Sequence, residues 1–398
     1  MPTAETSGSV YLKAGRDRRV RAGHLWIYRG EIGRTTGDCV PGTVVDVLDP
    51  RGRFLGRGHF NPASQITVRL LTRRREEAVD AALIRRRIAG AVAYRRRFYE
   101  AGDTCRLIFS EGDWLPGLVV DRYGTWLAVQ LGTLGMDRMR EAVVAALQDA
   151  VHPRGIYERS DLPSRVHEGL SPVTGLLAGE VPDEITVTVD GVQLVVSLKE
   201  GQKTGLFLDH RDTRRVVRAH AAGRRVLDVF CNAGSFALHA LAGGAREAVG
   251  IESAPEALAA ARRNAAINGR ADSLRLIEGN AFDRLRELEK AGERFDLVVL
   301  DPPAFTKNAQ SVAAARRGYK EINLRALRLA TPGGMVMTAS CSYHLGPEEF
   351  LDVLREAAAD AGRPVTLVAL GGQSPDHPIH LGVPETRYLK TALLAVRD

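Results

Sequence analysis

The chain has 398 residues, of which 44% are hydrophobic and 26% charged, and its formal net charge at pH 7 is +7. That length predicts two or three domains with sizeable cores, and no apolar run approaches the ~18 residues of a membrane span. The first residues, MPTAETSGSVYLK, have neither the basic nor the apolar region of a signal peptide. Four scattered cysteines give no disulfide framework and no paired metal-binding spacing, so we expect a cytoplasmic protein with reduced thiols and no metal.

The first segment, residues 1–75, is predicted to be a small β-barrel. Short β-branched or aromatic stretches alternate there with glycine and proline, which is the spacing of a barrel. A basic cluster lies within it, around what we interpret as turn residues. Such a cluster is either a solvated surface or a contact for a polyanion. Its members are Lys13, Arg16, Arg18, Arg19 and Arg21.

The second segment, residues 76–180, is predicted to be an α+β domain. A helical period follows residue 76, and the stretch from Cys105 onward is typical of strands joined by turns and followed by a helix. Three arginine triplets accompany this change of pattern. They are either solvated helix faces or part of a surface for a polyanion. The triplets occupy residues 73–75, 85–87 and 95–97.

The third segment, residues 181–398, is predicted to be an α/β domain. It starts with a hairpin around Asp190-Gly191, a strong turn signal, and continues from about residue 209 with strands and helices in alternation. That alternation predicts a Rossmann-like, seven-stranded parallel sheet with helices on both faces. The last two strands have no helix between them, so we expect them to pair antiparallel.

Polar residues follow successive strands of this sheet, where open parallel sheets bind ligands. Asp228 follows the first strand in a loop with one glycine, Gly234, which does not favour a pyrophosphate site. Glu252 ends the next strand and could accept hydrogen bonds from a ribose, and Asn280 follows the third, where an adenine would fit. A ribose and an adenine without a pyrophosphate favour S-adenosylmethionine over NAD. Each residue also has a structural alternative: a helix cap, a surface carboxylate and a turn residue.

Two further strand ends carry residues suited to chemistry on a base. The fourth strand ends in LDPPAF, where Asp301 could bind a nucleobase and Phe305 could stack on it. The fifth ends at Cys341, between two serines. A cysteine at the end of a buried strand is either a small core residue or a nucleophile displayed on a loop. Because the fourth and fifth strands are neighbours in this topology, Asp301 and Cys341 should face one pocket.

Over essentially its whole length, the chain resembles the S-adenosylmethionine-dependent methyltransferases that make 5-methylcytidine in 23S ribosomal RNA. The first segment resembles an RNA-binding PUA domain. The motifs that carry the resemblance are YLKAGRDRRVRAGHLWIYRGEI, EGDWLPGLVVDRYG, KEGQKTGLFLDHRDTR, DVFCNAGSFAL, VLDPPAF, SCSYHL and PETRYLK.

The resemblance implies a cofactor site, a catalytic cysteine and an RNA substrate. Cys341 takes the place of the family's catalytic cysteine, with Asp301 holding the base. Other RNA cytosine-5 methyltransferases have a second cysteine after strand four, where this chain has Asp301-Pro302-Pro303. Phe305 and the basic cluster are expected to bind RNA. The expected cofactor residues are Asp228, Phe230, Asn232, Gly234, Phe236, Glu252, Ser253, Asn280, Ala281, Phe282 and Asp301.

The expected reaction is methylation of cytosine carbon 5 after addition of the Cys341 thiolate to carbon 6. His344 and Lys307 are candidates for stabilising that thiolate, and no residue is assigned as the base that removes the carbon-5 proton. The substrate is expected to be 23S ribosomal RNA or an assembly intermediate of the large subunit. Two alternatives stay open: an RNA base N-methyltransferase that needs no nucleophile, and a non-catalytic RNA-binding assembly factor. The sequence also leaves open whether the protein is a homodimer.

Overall fold

The structure is a computed structural model that describes residues 6–201, 204–305 and 312–397. Its contacts divide the chain into two compact units, each of which gathers separate stretches of sequence. The first unit comprises Met1–Ile185, Val196–Leu208 and Pro375–Thr386, and the second comprises Thr186–Val195, Asp209–Ser374 and Arg387–Asp398. The division into three domains at residues 75 and 180 stays a proposal.

A six-stranded sheet begins the first unit. Its elements are β1 (Gly8–Leu12), a short helix α1 (Arg18–Arg21), β2 (Trp26–Tyr28), β3 (Ile32–Gly37), β4 (Val44–Leu48), β5 (Phe54–Phe60) and β6 (Ile66–Thr72). The strands pair in the order β2-β6-β5-β4-β1-β3, and the alternate apolar residues of β1 and β4 are buried in the core. Strand β3 was not predicted, because five of its six residues are exposed and no apolar alternation marks it.

A five-stranded sheet with three helices follows in the same unit. Its elements are α2 (Ala81–Arg95), β7 (Cys105–Phe109), β8 (Leu118–Tyr123), β9 (Trp126–Leu131), α3 (Leu134–Arg138), α4 (Arg140–Val151), β10 (Gly155–Ser160) and β11 (Val173–Gly179). The strands pair in the order β11-β10-β9-β8-β7, and they share one core with the long helix α2. The Asp80 carboxylate caps α2 by accepting from the Leu83 amide at 2.9 Å.

The predicted hairpin and the seven-stranded sheet are both present. The hairpin pairs β12 (Ile185–Val189) with β13 (Val192–Val196), and Asp190 and Gly191 between them have φ of +48° and +82°, as a two-residue hairpin turn requires. The bounds of the next elements are α5 (Arg211–Ala219), β14 (Arg225–Val229), α6 (Ser235–Ala242), β15 (Glu247–Glu252), α7 (Pro255–Ile267), β16 (Leu274–Glu278), α8 (Ala281–Lys290), β17 (Phe295–Leu300), α9 (Val312–Leu329), β18 (Ala330–Ser340), α10 (Pro347–Ala361), β19 (Val365–Gly371) and β20 (Lys390–Val396).

The large sheet has the order β16-β15-β14-β17-β18-β20-β19. The first five of these strands run parallel, and β20 pairs antiparallel with both β18 and β19. This confirms the predicted α/β fold and its antiparallel closing strands. Because β14 lies between β15 and β17, the chain reverses its direction of progress across the sheet there, which places a switch point at the end of β14. In the described part of the chain, no helix is long and apolar enough to cross a membrane.

Candidate active site

The loop after β14 has an unusual backbone. Phe230 and Asn232 have φ of +66° and +47°, a region that residues other than glycine rarely enter, and Gly234 follows at +79°. A Cβ at Gly234 would approach the Ala261 side chain of α7 to 3.2 Å, so space as well as φ favours glycine here. Strain of this kind persists only where the surrounding structure holds it, and it is concentrated at functional sites.

Asp228 supports this loop through a hydrogen bond of its carboxylate with α6. Its side chain is fully buried at the end of β14, and one carboxylate oxygen accepts from the Ala237 amide of α6 at 2.9 Å. The other oxygen has no hydrogen-bond partner among the described residues. Burial, with smaller effects from the Asp301 and Glu252 charges, raises the pKa of Asp228 from its usual 3.8 to about 7. Its predicted role at the cofactor stays a prediction, and the geometry favours support of the loop over direct contact.

Glu252 connects the loops that follow β14 and β15. One of its carboxylate oxygens accepts from the Asn232 amide at 3.0 Å, and the other accepts from the amides of Ser253 at 2.7 Å and Ala254 at 3.1 Å. The Glu252 side chain is half-buried. A carboxylate offers about four acceptor positions; three are taken by these amides and the fourth by the Ser253 hydroxyl at 3.2 Å, which a ribose hydroxyl could replace because a serine hydroxyl can rotate away. These contacts fit the predicted ribose acceptor.

Aromatic rings from three strand ends meet beside these carboxylates. Phe305, after β17, lies 6.5 Å from the Phe230 ring and 5.9 Å from the Phe282 ring, measured between centroids, and it packs on Tyr319 at 4.7 Å. Asn280 accepts from the Phe282 amide at 2.9 Å, so it caps α8, the structural alternative named for it. Ala281, between Asn280 and Phe282, is buried. The three phenylalanines form a half-buried apolar surface suited to a purine ring.

Asp301 has a partner that the sequence did not reveal. The His210 side chain, almost fully buried just before α5, lies 3.1 Å from an Asp301 carboxylate oxygen through its Nε2 and packs edge-on against Phe236. Burial alone would lower the pKa of His210, but the charge and hydrogen bond of Asp301 outweigh it and the pKa is raised. The contact with His210 orients the Asp301 carboxylate, which can accept a hydrogen bond from an exocyclic amine.

Cys341 differs from the two buried cysteines. It follows β18 and is half-buried, while the serines on either side of it are fully buried. Burial raises the pKa of the Cys105 thiol to about 12 and raises that of Cys231 as well, which makes both unreactive near neutral pH. The Ser342 hydroxyl lies 2.9 Å from the Tyr319 hydroxyl, so the loop that carries Cys341 is fixed from within.

Lys390 is a second residue that the sequence did not single out. It pairs with Ser340 across β18 and β20, and its ammonium donates to the carbonyls of Ser342 at 2.6 Å and Tyr388 at 2.9 Å. Burial lowers the pKa of Lys390 from 10.5 to about 8, while the charge of Cys341 acts in the opposite direction. Lys390 is therefore a buried cation close enough to Cys341 to interact with its charge.

Lys390 lies in the quoted PETRYLK motif, and its position opposite β18 follows only from the pairing of the closing strands. Two other candidates for this role come from the sequence. His344 is exposed beside Tyr343, and Lys307 lies outside the described residues. No group of three or more histidine, cysteine or acidic side chains that could hold a metal is found in the part of the chain described.

The basic cluster of the first unit is only partly available to a ligand. Arg18, Arg19 and Arg21 lie on α1, so the interpretation of this segment as turns alone was wrong. Arg19 stacks on the Tyr28 ring at 4.8 Å, and Arg21 pairs with Asp17 and Asp49. The exposed members are Lys13, Arg16, Arg18 and Arg21.

Two family models match the chain. One, described as an S-adenosylmethionine-dependent methyltransferase, matches residues 169–378, and the other, described as a PUA-like domain, matches residues 10–73. Among solved structures, a methyltransferase from Streptococcus mutans superposes with a TM-score of 0.83 at 19% identity, over 98% of this chain and all of that one. A methyltransferase named SMU.776, complexed with SAH, gives a TM-score of 0.85 at 19% identity over the same shares. These two likenesses support the fold.

Curated proteins found by sequence comparison have a higher sequence identity to this chain than these two structures have. Ribosomal RNA large subunit methyltransferase I of Klebsiella pneumoniae is 38% identical over 385 residues, which is 96% of each chain. The protein of the same name from Alteromonas mediterranea is 38% identical over 395 residues, which is 98% of this chain and all of that one. The chain therefore belongs to the S-adenosylmethionine-dependent methyltransferases, in the family whose curated members are named ribosomal RNA large subunit methyltransferase I. Its cofactor is S-adenosylmethionine.

The buried Asp228 should make the protein less stable as pH rises. Its pKa is about 7 in the folded state and 3.8 when unfolded, so the folded state favours the protonated form and stability falls between pH 4 and pH 7. We expect Asp228→Asn to melt a few degrees above wild type at pH 8, with the difference disappearing near pH 4. Thermal unfolding across this range checks it, with the exposed Asp272→Asn as control. A difference that does not change with pH would contradict the assignment.

Proposed function

We propose that the protein methylates carbon 5 of a cytosine in large-subunit ribosomal RNA, with Cys341 as the covalent nucleophile. The observation that carries the proposal is the placement of Cys341. It is a half-buried thiol at the end of β18, on a loop fixed by buried serines and beside the buried ammonium of Lys390. The RNA substrate is proposed from the names of the relatives and from the PUA-like match. A cytoplasmic location would accompany that substrate.

The cofactor site fits the residues present. The Glu252 carboxylate would accept hydrogen bonds from the ribose hydroxyls, and the surface formed by the three phenylalanines would contact the adenine. The strained loop from Phe230 to Gly234 would lie against the bound cofactor. When bound, S-adenosylmethionine supplies a methyl group on a positively charged sulfur, which leaves as a neutral thioether. Asp228 supports this arrangement through α6.

Cys341 would make carbon 5 of the cytosine reactive. Its thiolate adds to carbon 6, and the electron pair of the C5–C6 double bond becomes nucleophilic at carbon 5. After carbon 5 has been methylated, a base removes its proton, the double bond re-forms and the sulfur leaves as thiolate. Asp301, whose carboxylate lies 3.1 Å from His210, would accept a hydrogen bond from the exocyclic amine and hold the base against Cys341.

Lys390 would stabilise the thiolate. A cation beside a thiol favours its ionised form, and the low exposure of Lys390 reduces the screening of that interaction by water. Its ammonium is held by two backbone carbonyls and is paired with no carboxylate within the described residues, so its charge is available to Cys341. The same contact with the Ser342 carbonyl keeps the loop in place.

The next prediction tests the nucleophile. We expect Cys341→Ala and Cys341→Ser to lose methyl transfer by a factor of at least ~1,000, because no covalent adduct can form, while the dissociation constant for S-adenosylhomocysteine stays near that of wild type. Glu252→Ala is the matched contrast: it should weaken cofactor binding by roughly 1–3 kcal/mol, because the ribose hydroxyls lose an acceptor. Single-turnover assays and calorimetry measure both effects. Near-normal transfer by Cys341→Ala would favour the base N-methyltransferase alternative instead.

A third prediction concerns Lys390. In Lys390→Met, the alkylation of Cys341 by iodoacetamide should require a higher pH than in wild type, because the cation that favours the thiolate is gone. Lys390→Arg keeps a cation and should restore much of the wild-type profile. Mass spectrometry of the peptide that contains Cys341 separates it from the partly exposed Cys39. Identical profiles in wild type and Lys390→Met would exclude an electrostatic role for Lys390 and leave it only a structural one.

A further inference from the structure

A cavity of about 740 Å³ in the first unit brings together residues that are distant in sequence. Arg73 and Arg74, directly after β6, line it together with Arg86 and Arg87 of α2. These arginines belong to two of the three triplets seen in the sequence. Folding has turned two separate runs of charge into one concave site, and the volume is in the range of typical ligand pockets.

The positive charge of this cavity is only partly neutralised. Arg86 pairs with Glu77 at 2.6 Å. The other acidic residue of the lining, Asp113, receives two hydrogen bonds from the buried Arg95, so its charge is already compensated. Arg73, Arg74 and Arg87, also in the lining, have no carboxylate within 4 Å in the described part of the chain.

Two of these arginines are fixed by the backbone. Arg73 donates to the carbonyls of Val20 and His24, and Arg87 donates to those of Leu71 and Trp114. Carbonyl partners orient a guanidinium without cancelling its charge. Burial lowers the pKa of Arg87 to about 10, which still leaves it protonated at neutral pH. Because desolvated cations without counter-charges are costly, the cavity has a strong preference for an anion.

Aromatic rings complete the lining. Trp114 has a positive φ of +60°, lies under the Arg87 guanidinium at 5.8 Å and packs against His380 at 4.6 Å between centroids. Tyr94 of α2 contributes a second, half-exposed ring. Guanidinium groups beside aromatic faces are the combination that binds single-stranded nucleic acid, through phosphates and stacked bases.

We propose that this cavity binds unpaired RNA, with phosphates on Arg73, Arg74 and Arg87 and a base against Trp114 or Tyr94. The proposal rests on the proposed function, since it assumes that the substrate is RNA. It adds a contact that is separate from the basic cluster of residues 13–21 and that belongs to the α2 segment as much as to the strands before it. Contacts to phosphates position RNA without selecting its sequence, so the site should accept unrelated single strands.

The test compares two double variants of the full-length protein that lose the same charge. Arg73→Gln/Arg74→Gln removes two of the arginines assigned to phosphates, while Arg96→Gln/Arg97→Gln removes two exposed arginines that do not line the cavity. The probe is a fluorescent single-stranded RNA of mixed sequence, bound at several salt concentrations. Each lost phosphate contact lowers the slope of log K against log salt by about 0.7, so the cavity variant should lose about 1.4 and the control close to none.

The outcomes separate the two proposals. A flatter slope in the cavity variant alone, with a raised Michaelis constant for RNA and unchanged affinity for S-adenosylhomocysteine, supports the site. Equal slopes in both variants would contradict RNA binding by the cavity and would not affect the proposal that the protein methylates cytosine. Wild-type protein that does not bind the RNA overturns the site and the RNA substrate together, whereas a product other than 5-methylcytidine affects only the proposed chemistry. Arg74→Gln alone, a change at an exposed side chain, repeats the comparison if the double variant is unstable.

Discussion

The ammonium of Lys390 connects the closing strand of the large sheet to the loop that carries Cys341. Because β20 enters the sheet antiparallel between β18 and β19, its first residue lies opposite the last residue of β18. From there the buried side chain reaches two carbonyls, one of them from Ser342. The antiparallel closure of the sheet thus fixes the position of the thiol and places a cation beside it.

Negative charge dominates the rest of this edge of the sheet. Asp228, Glu252 and Asp301 follow β14, β15 and β17, and the charges of Glu252 and Asp301 help to raise the pKa of Asp228. The molecule limits the repulsion in different ways: three backbone amides surround Glu252, and His210 pairs with Asp301. A cofactor with a positively charged sulfur would reduce that repulsion further, so the acidic edge and the sulfonium are electrostatically complementary.

The sequence was sufficient for the architecture and for the strand ends that form the site. Alternating strands and helices predicted the sheet, and the missing helix between the last two strands predicted their antiparallel pairing, because both follow from local patterns. Lys390 and His210 were missed because their roles depend on strand pairing and on a contact with Asp301, 91 residues further along the chain. Strand β3 was missed because its residues are mostly exposed.

The arginine triplets also had a role that the sequence alone could not decide. Spacing along the chain left open whether they were solvated or functional, and the structure separates them by their neighbours. Arg95 is buried against Asp113, whereas Arg73 and Arg87 face a cavity without carboxylate partners among the described residues. A charge run in a sequence does not specify where its counter-charges lie in the fold.

A covalent bond between Cys341 and the cytosine is the central step of the proposed mechanism. RNA containing 5-fluorocytidine tests it, because fluorine replaces the proton whose loss is needed to release the enzyme. Incubation of the protein with this RNA and S-adenosylmethionine should give a stable protein–RNA adduct. Digestion and mass spectrometry should locate one methylated fluorocytidine on the peptide that contains Cys341. Full turnover of the cofactor without an adduct, or an adduct on another residue, would contradict the account.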